Sequence, residues 1–124
     1  MKILICEDEE ILLTALEFRL SKQGFQTLLA KDGKQALQII QDESPDLVVA
    51  DVMMPYVTGL ELIDLVRQDY QNPVPVIIIS ALENDDVVLE AFRLGATDFI
   101  TKPFKPTELI LRIRKIFQEL KAVA

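Results

Sequence analysis

Residues suited to phosphoryl chemistry stand at the ends of apolar runs in this chain. Glu7 and Asp8 follow Ile3-Leu4-Ile5-Cys6, and Asp51 follows Leu47-Val48-Val49-Ala50. Ser80 follows Val76-Ile77-Ile78-Ile79, and Lys102 follows Phe99-Ile100-Thr101. If these runs are parallel strands, their carboxyl ends converge and bring together three carboxylates, a hydroxyl and an ammonium. Three crowded carboxylates repel one another, and a hard divalent cation with oxygen ligands relieves that repulsion. Mg²⁺ is the expected ion. Asp8 and Asp51 are candidate direct ligands, and Glu7 reaches the ion directly or through water. A backbone carbonyl in the Val52-Met53 turn could complete the protein ligands.

Asp51, at the tip of a central strand, is placed to attack phosphorus and form an acyl phosphate. Lys102 supplies an ammonium for the equatorial oxygens of the transferring group, and the Ser80 hydroxyl can donate to one of them. Singly, each residue has an ordinary explanation. Glu7 and Asp8 could open a helix, where the dipole favours acids. Ser80 could cap a helix, and Lys102 could be a surface lysine beside a turn. Their joint position at matching strand ends favours the site. Lys102 must turn back into it directly after a strand, and a cis bond to Pro103 would do this, although the residues alone leave the isomer open.

The elements that hold these residues alternate. Apolar runs at about 2–6, 25–30, 46–50, 75–79 and 97–101 are near-continuous, as in strands covered on both faces. Helical spacing lies between them: Leu12, Ala15, Leu16 and Leu20; Ala36, Leu37 and Ile40; Leu60, Ile63, Val66 and Tyr70; Val88, Ala91 and Phe92. The last helix is expected to bury Leu109, Ile113, Ile116, Phe117 and Leu120, with Leu111 projecting from the opposite side. Gly24 and Gly95 fall where helices close, Ser44-Pro45 and Pro73/Pro75 precede strands, and Pro106 can begin a helix. The expected fold class is α/β, a doubly wound (βα)5 single domain over 1–124 with a five-stranded parallel sheet. Strand 2 delivers nothing that pairs with the site, so it belongs at an edge beyond strand 1. That gives the order 2-1-3-4-5, with the site at the switch point between strands 1 and 3.

The chain has 124 residues, half of them hydrophobic, and a net charge of −7. Of 13 basic residues six lie in 101–124, where only two of the 20 acidic residues fall. The body is therefore strongly acidic, which argues against nucleic-acid binding. Cys6 is the only cysteine and there is no histidine. No internal disulfide can form, Cys6 reads as a buried structural thiol, and a cytoplasmic protein is expected. The first apolar run is too short for a signal peptide or membrane span, so no membrane association is expected.

Taken together, Glu7-Asp8, the run Asp51-Val52-Met53-Met54-Pro55 with Gly59, Ser80-Ala81, Phe99 and Lys102-Pro103-Phe104 resemble the receiver (CheY-like) domain of two-component response regulators. The resemblance covers essentially the whole chain. It implies that Asp51 accepts a phosphoryl group from a phosphohistidine on a sensor histidine kinase, and that the protein is not otherwise an enzyme. It implies Mg²⁺ ligation by Asp8, Asp51 and the Met53 carbonyl, with Glu7 acting through water, and a cis Lys102-Pro103 bond. It makes Ser80 and Phe99 a switch, in which the hydroxyl swings toward the phosphoryl group and the ring rotates inward behind it. The family more often carries tyrosine at the switch ring; with Phe99, either state is held by packing alone. Met53 and Leu82, two residues after Asp51 and Ser80, are apolar and poorly suited to orient a hydrolytic water, which points to a long-lived phosphoryl group.

The last helix further resembles the OmpR/PhoB-type subgroup. There the fourth helix, fifth strand and fifth helix form a two-fold contact with salt bridges, and Arg93, Asp98, Arg112 and Arg114 have suitable chemistry. A phosphorylation-promoted homodimer is the expectation. A haloacid-dehalogenase-type phosphatase also uses an aspartyl nucleophile, but it usually has an acid two residues later, where this chain has Met53. A flavodoxin-like cofactor site lacks its phosphate-cradling loop after strand 1. The remaining alternative is a receiver-fold interaction module that works without phosphorylation.

Overall fold

The computed structural model describes residues 1–82 and 84–123. Five strands, β1 (Lys2–Cys6), β2 (Gln26–Ala30), β3 (Leu47–Asp51), β4 (Val76–Ser80) and β5 (Asp98–Thr101), alternate with five helices. These are α1 (Glu10–Lys22), α2 (Gly33–Glu43), α3 (Gly59–Asp64), α4 (Asp85–Leu94) and α5 (Pro106–Val123), and a π-helical turn, Leu65–Asp69, continues α3. The strands form one parallel sheet in the order β2-β1-β3-β4-β5, as the sequence predicts.

Side chains alternate across a strand, and here both faces are apolar. Ile3, Ile5, Leu47, Val49, Ile77 and Ile79 pack with α1 and α5, against Leu13, Leu16, Leu109 and Ile113. Leu4, Cys6, Val48, Ala50, Val76 and Ile78 face the other way, toward Ala36, Ile40, Leu62, Ile63, Val66 and Ala91. The central strands β3 and β4 are buried throughout, which is why they read as unbroken apolar runs. Burial of the order of 1.5–3 kcal/mol for each large side chain makes this sandwich the main source of stability.

Local signals fix the helix ends. Asp32 accepts from the Gln35 N–H and Asn84 from the Val87 N–H, both at 2.9 Å. Thr58 and Glu61 form a reciprocal capping box at α3, so its first turn has satisfied donors. Gly24 and Gly95 adopt φ of 91° and 111°, and Pro106 is the first residue of α5, both as expected.

The structure corrects the phase of several helices. In α1 Leu13 is buried while Ala15 faces solvent. Tyr70 is 47% exposed, because the π turn inserts a residue and rotates the chain beyond it out of the expected stripe. Phe92 is exposed, and Ala91 is the one buried residue of α4. In α5 Ile110 is buried, Phe117 is partly buried against the core, and Leu120 is 50% exposed. Leu111 is exposed, as expected.

Candidate functional site

Asp51 and Ser80 are the last residues of β3 and β4, and Glu7 and Lys102 directly follow β1 and β5. Parallel pairing brings these ends together. The Glu7 N–H donates to Ala30 O at 3.0 Å, so the end of β2 sets the backbone from which Glu7 turns inward. Lys102 N–H donates to Ser80 O at 2.7 Å, and the following Lys102-Pro103 bond is cis.

The centre is an ammonium shared by two carboxylates. Lys102 Nζ donates to Glu7 Oε1 at 2.6 Å and also to Asp51 Oδ2. Glu7 is fully buried and Asp51 is 4% exposed. Burial pushes the Glu7 carboxyl up from 4.5 to about 7; the Lys102 hydrogen bond opposes the shift and the neighbouring Asp51 adds to it. For Lys102, burial works against the charged form, but its hydrogen bonds to Asp51 and Glu7 outweigh this and raise its pKa. The ammonium is thus kept charged beside Asp51.

Asp51 Oδ1 accepts from the Met53 N–H at 2.8 Å, which orients the carboxylate. Glu7 Oε2 accepts from the Asp8 N–H at 3.1 Å. Asp8 itself is exposed, and Met53 is 63% exposed at the rim. Among the described residues no three acidic side chains come together as a preformed metal cage. The structure thus joins Glu7, Asp51 and Lys102 and leaves Asp8 apart. The donor chemistry still fits a hard cation: two buried carboxylates share one ammonium, and every added donor (Asp8, the Met53 carbonyl) is oxygen.

Ser80 is fully buried, and its Oγ accepts from the Leu82 N–H at 2.9 Å and does not donate to the acid pair. Its cap role is excluded, because Asn84 caps α4. Phe99 is half-buried and packs against the core between the sheet and α2, α3 and α4. A cavity of about 400 Å³ is lined by Glu9, Leu12, Ala81, Lys102, Pro103 and Phe104. The sequence reading missed the Ala30 and Met53 backbone partners, which carry no residue-type signal. It also missed the Thr58 capping box, which the Thr-x-x-Glu pattern could have revealed.

On the α4–β5–α5 side, Arg112 binds Asp98 at 2.8 Å and Glu108 at 3.1 Å within the chain. Arg93 pairs with Glu90. Arg114 lies elsewhere: it donates to Gln23 at 2.7 Å and stacks over Phe25.

Residues 3–114 match the family model described as the response regulator receiver domain. The chain belongs to that family and is the receiver domain of a two-component response regulator. It is 35% identical over 123 residues to the alkaline phosphatase synthesis transcriptional regulatory protein PhoP of Bacillus subtilis (strain 168), covering 99% of this chain and 51% of that protein. The chain therefore spans about half the length of that curated relative. Within the family the likeness is to the OmpR/PhoB type. Among solved structures, the receiver domain of the Francisella response regulator 1452 superposes with a TM-score of 0.91 at 34% identity, covering 96% of this chain and 98% of that one. The BeF3-activated N-terminal receiver domain of Klebsiella pneumoniae RstA gives 0.84 at 30% identity, covering 92% and 96%.

Proposed function

We propose that the chain is a phosphoacceptor switch in which Asp51 takes a phosphoryl group from a phosphohistidine of a sensor histidine kinase. The observation that carries this reading is the Lys102 ammonium held between Asp51 and the buried Glu7. In the transfer the P–N bond breaks, an Asp51 Oδ–P bond forms, and the imidazole leaves with the electron pair. Asp51 is held in line by the Met53 N–H, and Lys102 neutralises a phosphoryl oxygen. Asp8, Asp51 and the Met53 carbonyl would hold Mg²⁺, with Glu7 acting directly or through water. Bound there, the ion supplies positive charge to the phosphoryl oxygens.

Ser80 must give up the Leu82 N–H to reach the phosphoryl group, and Phe99 follows by packing inward. The output is the face of α4, β5 and α5, where Leu89, Phe92 and Leu111 are exposed. A second copy is its proposed partner, with Arg93, Asp98 and Arg112 exchanging their internal pairs for intermolecular ones; Arg114 faces Gln23 and Phe25 and takes no part. The domain has no substrate beyond its own aspartate, acts in the cytoplasm and binds no nucleic acid itself. No described helix is long and apolar enough to cross a membrane. Met53 and Leu82, both exposed, leave the phosphoryl group long-lived; a half-life of seconds in the purified phosphoprotein would refute that point.

The test is intact mass after incubation with Mg²⁺ and acetyl phosphate, beside Asp51→Asn. One added phosphoryl group, absent from the variant and after chelation, is the expected result. No addition, where a known receiver is modified, would favour an interaction module that works without phosphorylation.

A further inference from the structure

The segment between β3 and α3 serves the site twice. The Met53 N–H holds Asp51 Oδ1, and the Met53 carbonyl is one of the proposed Mg²⁺ oxygens. Both depend on where the backbone of residues 52–58 runs. On its inner side the segment is tied to its own neighbours. Val52 N–H donates to Ile79 O at 3.0 Å, Gly59 N–H to Val52 O at 3.0 Å, and Val57 N–H to Pro55 O at 2.8 Å.

On its outer side the segment rests on the first turn of α2. The Gly33 N–H donates to Pro55 O at 3.3 Å. A Cβ at residue 33 would lie 2.1 Å from Val57 O, 2.3 Å from Val57 Cβ and 2.8 Å from Val57 C. Two of these are backbone atoms, so no change of rotamer relieves the collision. Gly33 is buried, and it is not among the residues with positive φ. Glycine is therefore needed here for close approach and not for backbone freedom. The next residue, Lys34, lies over the ring of Tyr56, 5.3 Å from its centroid. Pro55, Tyr56 and Val57 thus all meet residues 33 and 34, on an element that contributes no chemical group to the site.

We propose that Gly33 is a positioning residue: its missing side chain lets the start of α2 seat the 52–58 segment so that Met53 presents both its N–H to Asp51 and its carbonyl to the metal. This rests on the functional reading above. Outer-shell supports of a metal site typically contribute ten- to a hundredfold in affinity.

The test uses ¹⁵N-labelled chain and Mg²⁺ titrations followed at the Asp51 and Met53 amides, with urea unfolding in chelator alongside. Gly33→Ala should bind Mg²⁺ roughly tenfold or more weakly. Ile40→Val, which loosens α2 packing by about 1 kcal/mol seven residues beyond Gly33, should bind as the wild type does. Unchanged affinity in Gly33→Ala, or equal weakening in Ile40→Val, overturns the proposal. If Gly33→Ala does not fold, Tyr56→Ala, which removes the ring beneath Lys34 at the same seat, is titrated instead. Weaker Mg²⁺ binding then supports seating of the segment by the start of α2, and wild-type affinity overturns it. A wild type whose Asp51 and Met53 amides ignore Mg²⁺ overturns the functional reading itself, a different result from a normal wild type with an unaffected Gly33→Ala.

Discussion

Replacing Lys102 by methionine keeps most of the aliphatic stem and removes the charge that Glu7 and Asp51 share. Those carboxylates are 0% and 4% exposed, so they depend on the ammonium for their countercharge. Breaking a buried ion pair from one side costs about 3–5 kcal/mol when the orphaned charge stays ionised. Glu7 has an escape, because its carboxyl is already pushed from 4.5 to about 7. Between those values the folded chain holds a proton that the unfolded chain has lost. Stability therefore falls as pH rises, by about 1.4 kcal/mol per unit, or about 3 kcal/mol across the window. Without Lys102 the Glu7 value climbs further, and the fall continues to higher pH. Lys102, itself raised, stays charged throughout this range, so its own titration adds no pH dependence. The loss in Lys102→Met should thus be about 1.5–3 kcal/mol at pH 5, the worth of a charge-assisted hydrogen bond, and about 3–5 kcal/mol at pH 8.5. Urea unfolding in chelator, monitored by circular dichroism at both pH values, measures it. A loss independent of pH, or a variant as stable as the wild type at pH 8.5, would refute the account of Glu7 as a buried, ammonium-held acid.

Local structure sets three further outcomes. Thr58→Ala removes half of the capping box and should lower stability by about 1 kcal/mol, read from the urea midpoint. Arg67 donates to Asn72 O at 2.8 Å and Gly95 O at 2.9 Å. Arg67→Met should therefore lose about 1.5–3 kcal/mol and speed hydrogen exchange in the last turn of α4. Burial raises the Cys6 thiol far above its ordinary value, so a thiol reagent should leave the native chain unlabelled by mass and label it fully in urea.

The sheet was legible because its central strands are covered on both faces, which leaves an unbroken apolar run in the sequence. Strand order followed from which runs end in reactive residues. Boundaries shifted by a residue: Asp51 and Ser80 complete their strands. Helix phase was harder. A single apolar run such as Ile11-Leu12-Leu13 supports more than one stripe, and the tertiary contacts of Leu13 decided it. The π turn at Leu65–Asp69 has no pattern of its own, so Tyr70 was expected on the wrong face. At the site, residue types announced Glu7, Asp51 and Lys102. The direction in which the Ser80 hydroxyl points is a torsional choice set by the Leu82 N–H, and residue type did not signal that Asp8 stands apart from the acid pair. The need for glycine at 33 is set by the close approach of Val57, a tertiary contact with no local sequence pattern.

The exposed Tyr56 ring, carried on the segment beside Asp51, has a practical consequence. The chain holds no tryptophan and two tyrosines. In Tyr70→Phe the near-ultraviolet emission comes from one phenol, parked over Lys34 and a few residues from the phosphoacceptor. The protein thus carries its own optical reporter, and displacement of this segment can be timed by stopped flow without a dye.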